Sequence, residues 1–279
     1  MTARPDPAVS VVIVAHSVRD ELERCLDSIA AYAGVGCEVI VVDNASTDGT
    51  REWLGRDHPD VTIVALAENR GVAAREDGLR LACGRYTMFL DSDAALTQGA
   101  LPKLVAALDE HSQWGLLGPQ LVHEDGTLQL SCRRFPSLML PLLRRPPLER
   151  LAGGSRIVTR HLMTDVDHEV PRAVPYVLGA CQIFRTSLAR TVGSFDRRIF
   201  FGPDDIDWCI RIRDAGGEVV YYPQATVVHA YRRATAARPV SRLSLRHAEG
   251  FVYFRWKYRR RWRALRRLER DLDARGALA

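Results

Sequence analysis

Residues 9–16, VSVVIVAH, form a nearly unbroken β-branched run that ends in a histidine. Such a run fits a strand buried on both faces, as in a parallel sheet covered by helices. Residues 17–33, SVRDELERCLDSIAAYA, follow with Leu22, Cys25, Leu26 and Ile29 on one helical face. CEVIVVDNAS (37–46) reads as a second strand, and STDGTREWLGRD (46–57) opens a helix with Ser46 or Thr47 as its cap. VTIVALAEN (61–69) is a third strand, GVAAREDGLRLACG (71–84) a helix, and YTMFLDSD (86–93) a fourth strand. Strand–helix units repeated in this way predict an α/β fold with one mostly parallel sheet and right-handed crossovers.

The chain of 279 residues is long enough for one large α/β domain with an appendage, which is favoured here over two small domains. A hydrophobic fraction of 47% and a charged fraction of 26% exclude a disordered or collagen-like chain. The N-terminal MTARPDPAVS lacks a signal-peptide apolar stretch, and no later run is long enough to span a bilayer, so a cytoplasmic protein is expected. Six cysteines without C-x-x-C spacing suggest buried free thiols rather than a zinc site or a disulfide framework.

The net charge of +5 is unevenly spread. FRWKYRRRWRALRRLER (254–270) interleaves nine basic residues with Phe254, Trp256, Trp262, Leu265 and Leu268. At helical spacing this becomes a basic helix with an apolar stripe. Two readings stand: a helix on the inner, anionic face of a membrane, or one that packs its stripe on the core. No nucleic-acid partner is expected.

In sheets of this kind ligands bind beyond the carboxyl ends of the strands. There the sequence gathers Ala15-His16-Ser17, Asp43-Asn44-Ala45-Ser46, Glu68-Asn69-Arg70-Gly71 and Asp91-Ser92-Asp93. Neither G-x-G-x-x-G after the first strand nor a P-loop pattern occurs. Asp91 and Asp93, two apart at a strand end, point the same way if the strand continues through them. A divalent cation, Mg²⁺ or Mn²⁺, answers their repulsion and can bridge carboxylates to a diphosphate; the alternative is that one acid caps the next helix. In IFFGPDDIDWCIRIRDAGG (199–217), Pro203 marks a helix start and Gly216-Gly217 its end. Asp204, Asp205 and Asp207 suit the dipole of that start, yet they exceed what capping requires, and repulsion should raise the proton affinity of at least one. Such a carboxylate could act as a general base. ATVVHA ends in His229, either a metal ligand or a satisfied polar residue.

The ordered set VSVVIVAHSVRDELERCLDSI, EVIVVDNASTDGT, ENRGVAA, GRYTMFLDSD, VLGACQIFR, VGSFDRRIFFGPDDIDWCIRIRDAG and YYPQATVVH closely resembles the inverting nucleotide-sugar glycosyltransferases of family 2, which have the GT-A fold. The chain looks most like their bacterial rhamnosyltransferase-like members. The resemblance covers roughly residues 8–232 and leaves 233–279 as a basic helical extension. It divides the domain 1–232 into a nucleotide-sugar half, about 8–95, and an acceptor half, about 96–232.

The resemblance implies a role for each matching residue. Asp43 would contact the nucleotide base, and Ala15, His16 and Ser17 would line base and ribose in place of the usual Thr-Tyr-Asn. Asn69 and Gly71 match the turn beside the nucleotide. Arg75 sits where a basic residue approaches the ribose or diphosphate, and Asp91, Ser92 and Asp93 match the D-x-D motif. Asp91, Asp93 and His229 would form the metal set, with Asp205 as base and Asp204 in place of the family's Glu. The donor would be a dTDP, UDP or GDP sugar. The acceptor would be a hydroxyl on a glycan, a lipid-linked glycan or a small molecule, in cell-envelope glycan, polysaccharide or glycoconjugate synthesis. Gly179 and Ala180 would let backbone approach the acceptor sugar, and Trp208 would either stack on it or belong to the core.

Other classes fit less well. A haloacid-dehalogenase-type phosphatase would put its acid pair on the first strand and a lysine between its acid sites, but Lys103 and Lys257 are unsuitably placed. A nucleotidyltransferase would carry a Gly-rich basic loop where this chain has AHSVRD. A non-catalytic nucleotide-sugar-binding or membrane-associated scaffold would not need the acids.

Overall fold

A computed structural model describes residues 7–143, 148–230 and 241–278. The first half contains β1 (Val9–Ala15), α1 (Arg19–Tyr32), β2 (Cys37–Asp43), α2 (Thr50–Asp57), β3 (Thr62–Ala65), α3 (Arg75–Leu81), β4 (Tyr86–Leu90), β5 (Ala94–Leu96), α4 (Ala100–Glu110) and β6 (Trp114–Val122). Shorter pieces follow: β7 (Leu128–Gln129), β8 (Cys132–Arg133), α5 (Leu140–Leu143), α6 (Leu148–Ala152), α7 (Arg156–Leu162), β9 (Arg172–Ala173) and β10 (Tyr176–Val177). The chain continues through β11 (Cys181–Arg185), α8 (Thr186–Val192), α9 (Asp204–Asp214), β12 (Glu218–His229), α10 (Arg242–Lys257) and α11 (Trp262–Arg275).

The sheet runs β3-β2-β1-β4-β11-β6-β12-β5, with β7 added beside β6 and β9 beside β12. β1 pairs in parallel with β2 and β4, and β6 with β12, whereas β11 and β5 run against their neighbours. The mostly parallel α/β sheet expected from the sequence is therefore present. Leu22, Cys25, Leu26 and Ile29 of α1 are buried against one face of it, as their spacing predicts.

Three local expectations change. α2 starts at Thr50 after Gly49 at φ 79°, not at a Ser46 or Thr47 cap. Asp48 Oδ1 accepts from Thr50 N at 3.2 Å instead, because glycine reaches the left-handed region and a short acid can then fold back on the helix start. The strand carrying the acid pair stops at Leu90, and Ala94 N donates to Asp91 O at 3.0 Å. Asp91 and Asp93 thus converge through a tight turn rather than strand alternation. β5 separates this turn from α4, so neither acid caps a helix. Of the six free thiols, Cys25, Cys132, Cys181 and Cys209 are buried, Cys37 is half-buried and Cys83 is exposed beside Glu38.

The basic tail is two helices. Phe254, Tyr258 and Leu265 join the buried cluster on the second face of the sheet, with Trp208, Phe184 and Phe195. Fully buried Glu269 accepts from Phe135 N at 2.9 Å and pairs with Arg266 and Arg160. Apart from Trp256, which is 54% exposed, the stripe packs on the core, Trp262 and Leu268 lying against the same cluster. The boundary between residues 232 and 233 lies outside the described residues.

Candidate functional site

Strand register assembles the site. β5 pairs with β12 so that Ala94 lies opposite His229, which brings the histidine to the turn holding Asp91 and Asp93. One ligand atom from each of Asp91, Asp93 and His229 lies within 4.8 Å of the others. His229 Nε2 is 3.3 Å from Asp93 Oδ1, and Nδ1 faces Gln129 Oε1 at 2.7 Å. The amide oxygen can only accept, so Nδ1 carries a proton and Nε2 of the neutral ring presents its lone pair to the acids. Burial lowers this imidazole's proton affinity, but the hydrogen bond to Asp93 and the charges of Asp91 and Asp93 outweigh it, and the ring titrates above the usual histidine value.

Two carboxylates and one imidazole are a donor set suited to a divalent cation, and the nitrogen donor suits Mn²⁺ better than Mg²⁺. The residues present fit the metal.

A cavity of about 580 Å³ opens beside the triad, lined also by Arg75, Ser92, Gly179, Ala180, Asp204 and Asp205. Arg75 is buried at its floor. Its Nη2 donates to Asp91 Oδ1 at 2.7 Å and to Gly179 O at 2.9 Å, while Nη1 reaches Asp204 Oδ2 at 3.2 Å. Glycine favours the close approach: a Cβ on Gly179 would sit 3.1 Å from Arg75 Nη1, and the guanidinium would have to give way slightly.

Asp204 and Asp205 open α9, behind Pro203. Burial pushes Asp204 up to about 6, with Asp91 adding to the rise and Arg75 opposing it. Asp205 is raised well above the ordinary carboxylate range, first by burial and then by Asp204. The two share one cation and titrate as a unit. Asp207 plays another part: it accepts from Lys257 Nζ at 2.6 Å, Tyr258 OH at 2.9 Å and Arg211 Nε at 2.9 Å, away from the cavity. Trp208 lies in the core, 1% exposed and stacked on Phe195 at 4.6 Å, so it offers no surface to a sugar.

Val18 and Val72 reach the cavity wall, but Ala15, His16, Ser17, Asp43, Asn44, Asn69 and Gly71 do not line it and sit as a rim at the adjoining strand ends. Asn44 N donates to Ala15 O, His16 Nδ1 pairs with Asn44 O at 2.9 Å, and Ser17 N donates to Ser46 Oγ at 3.0 Å. Asp43 Oδ1 accepts from Ser46 N at 3.0 Å. Asn44 Nδ2 donates to Asn69 Oδ1 and Gly71 O, and its Oδ1 accepts from Arg70 N. Ser17 and Ala45 have φ of 54° and 62°, a left-handed pair in facing loops. Gly71 is fixed by its own backbone: at φ 59°, a Cβ there would lie 2.0 Å from Phe200 O. The sequence reading missed Asn44 as the clamp of this rim and Gln129 as the partner of His229. Asn44 stood in the polar strand end already noted; nothing in the sequence marks Gln129.

The arrangement of sheet, acid turn and buried acid pair defines a class of nucleotide-sugar-dependent transferase with the GT-A fold. Residues 10–193 match the model of glycosyl transferase family 2, and the chain belongs to that family and is a glycosyltransferase. It is similar to the N-acetylglucosaminyl-diphospho-decaprenol L-rhamnosyltransferase of Mycobacterium tuberculosis (strain ATCC 25618 / H37Rv), 27% identical over 91% of this chain and 86% of that one. It is also similar to the solved mannosyltransferase PcManGT of Pyrobaculum calidifontis in complex with GDP-Man and Mn²⁺, with 25% identity and a TM-score of 0.57 over 83% of this chain. The chain spans 59% of that structure's length. TarS of S. aureus in complex with UDP-GlcNAc shares the fold, at 20% identity and a TM-score of 0.55 over 79% of this chain and 57% of that one. Among the described residues no helix is long and apolar enough to cross a membrane.

Proposed function

We propose that the protein transfers a sugar, rhamnose by its likeness to the mycobacterial relative, from a nucleotide diphosphate sugar to a hydroxyl acceptor with inversion at the anomeric carbon. The acceptor is a lipid-linked glycan, in keeping with the diphospho-decaprenol in the name of the same relative, and we place it in cell-envelope glycan synthesis. The observation that carries the reading is the meeting of Asp91, Asp93 and His229 on the cavity that Asp204 and Asp205 also line.

Asp91, Asp93 and His229 would hold the cation, Mn²⁺ or Mg²⁺, which when bound would supply positive charge against that developing on the departing nucleotide diphosphate. Asp205 removes the acceptor's hydroxyl proton as its oxygen attacks the face opposite the leaving group, and its raised proton affinity suits a base working near neutral pH. Asp204 shares the charge of Arg75 and keeps Asp205 basic. Arg75 orients Asp91 and Asp204 rather than meeting the diphosphate directly. Ser92, Ala15, His16, Ser17, Asp43, Asn69 and Gly71 receive the nucleotide. Residues 1–232 form the catalytic unit, with a nucleotide-sugar half of about 8–95 and an acceptor half of about 96–232, and 233–279 extend it. The protein works at the cytoplasmic face of the membrane.

The test is Asp205→Asn assayed with Mn²⁺ against dTDP-, UDP- and GDP-sugars. Binding of the preferred donor, read as a thermal shift, should persist while transfer falls about 10³-fold. Undiminished transfer removes the base assignment.

A further inference from the structure

Eight of the eleven exposed large apolar side chains among the described residues fall in two stretches, 138–157 and 245–256. Both border the cavity. In the first, Leu140 and Pro141 line the wall beside Pro136, while Leu138 and Leu151 stand 66% and 84% exposed. In the second, His247 and Phe251 of α10 line the cavity, while Leu245 and Val252, seven residues apart on the helix, stand 64% and 69% exposed. Scattered apolar residues need no explanation, but a concentration in two stretches that both reach the cavity wall marks a contact surface.

Charge selects the partner. Arg242, Arg246, Arg259 and Arg260 are exposed on or beside α10, and Arg156 is exposed in the first stretch. The acid along this side of α10, Glu249, lies 3.9 Å from Arg246. Apolar side chains with arginines beside them suit an anionic bilayer, where the former enter the interface and the latter meet phosphates.

We propose that the cavity mouth docks on an anionic lipid bilayer through the described residues of 138–143 and 148–157 and the outer side of α10. The contact is distinct from the stripe of α11, which is occupied by the core. It rests on the reading of a lipid-linked acceptor, whose hydroxyl would then reach Asp205 without leaving the membrane.

The experiment compares the full chain with Leu138→Glu/Leu151→Glu and Leu245→Glu/Val252→Glu, sedimented with phosphatidylcholine vesicles with and without phosphatidylglycerol. All four positions are solvent-facing, so folding, checked by circular dichroism, should be unchanged. Wild type should bind the anionic vesicles in a salt-dependent manner, and each pair should lower partitioning roughly tenfold or more. Transfer to a water-soluble acceptor should be the same in all three proteins. Equal partitioning of variants and wild type overturns the docking. So does a concentration-dependent dimer dissolved by the same substitutions, which would assign the surface to a second copy. Absence of turnover on any soluble acceptor with vesicle binding intact would strike the catalytic reading and leave the docking standing.

Discussion

Arg75 reaches Asp204 at 3.2 Å across 129 residues of sequence, with both side chains almost closed to solvent. Because the same guanidinium also holds Asp91, one buried cation ties the acid turn of the metal set to the acid pair of α9. Removing a buried charge's partner costs far more than a surface ion pair is worth. Arg75→Met should therefore lose about 3 kcal/mol of stability in urea unfolding, and should also lower transfer while raising the proton affinity of Asp204. Stability within a few tenths of wild type would mean that Arg75 does not compensate these acids.

The acid pair sets a pH dependence with a definite sign. Asp204 is raised to about 6 and Asp205 is also raised, so the folded state holds protons that the unfolded chain has released. Their contribution to stability is complete below the ordinary carboxylate value near 4 and is withdrawn as pH rises through about 6. In metal-free buffer the wild type should thus lose melting temperature between these limits relative to Asp204→Asn/Asp205→Asn. The acidic limb of kcat/KM should fall at a pH well above that of an ordinary carboxylate. Parallel melting curves for the two proteins would contradict the shift.

Much of this was legible in the sequence. Runs such as VSVVIVAH and the spacing of Leu22, Cys25, Leu26 and Ile29 fix which faces are buried, because a strand and a helix have only two periods to offer. The acids at 91, 93, 204 and 205 were visible because several carboxylates in short stretches are hard to explain as solvation. What stayed hidden depends on long-range register. Gln129 meets His229 across 100 residues only because β7 and β12 both lie beside β6. The turn at Asp91 was hidden for the opposite reason: apolar periodicity continues up to Leu90 and gives no sign of where the strand ends.

Metal binding should depend on the imidazole's other nitrogen. Gln129 Oε1 holds Nδ1–H, leaving Nε2 for the cation, and partners of this kind typically account for 10- to 100-fold in affinity. Gln129→Leu should weaken Mn²⁺ binding by about tenfold, and His229→Ala by more, as read by titration calorimetry. Because His229 titrates above the usual value, a proton competes at Nε2, and affinity should fall as pH drops through that raised range. Affinity unchanged in Gln129→Leu would detach this residue from the metal set.

Gly71 joins the nucleotide rim to the loop before α9, with Val72 N donating to Phe200 O at 3.0 Å. Alanine there must adopt φ 59° and force its Cβ against that same carbonyl. The strain is on the order of 1–3 kcal/mol, and relief requires moving either loop. Gly71→Ala should therefore raise KM for the donor about tenfold or more, with circular dichroism unchanged. An unaltered KM would show that the loops need not touch.

Asp205 and Asp207 stand two residues apart in the first turn of α9, yet their substitutions should be opposite in kind. Asp207 is buried and accepts from Lys257, Tyr258 and Arg211, so it fastens the end of α10 to the helix that begins with the acid pair. Asp207→Ala leaves Arg211 without its carboxylate and Lys257 with Asp196 alone, and should cost about 3 kcal/mol. The same helix supplies His247 and Phe251 to the cavity, so KM for the acceptor should rise when its anchor is lost. Asp205→Asn removes a charge that burial already disfavours; stability should be kept or improved above the ordinary carboxylate range while kcat falls. Urea unfolding and steady-state kinetics on both variants separate the roles, and a large stability loss in Asp205→Asn with kcat intact would exchange them.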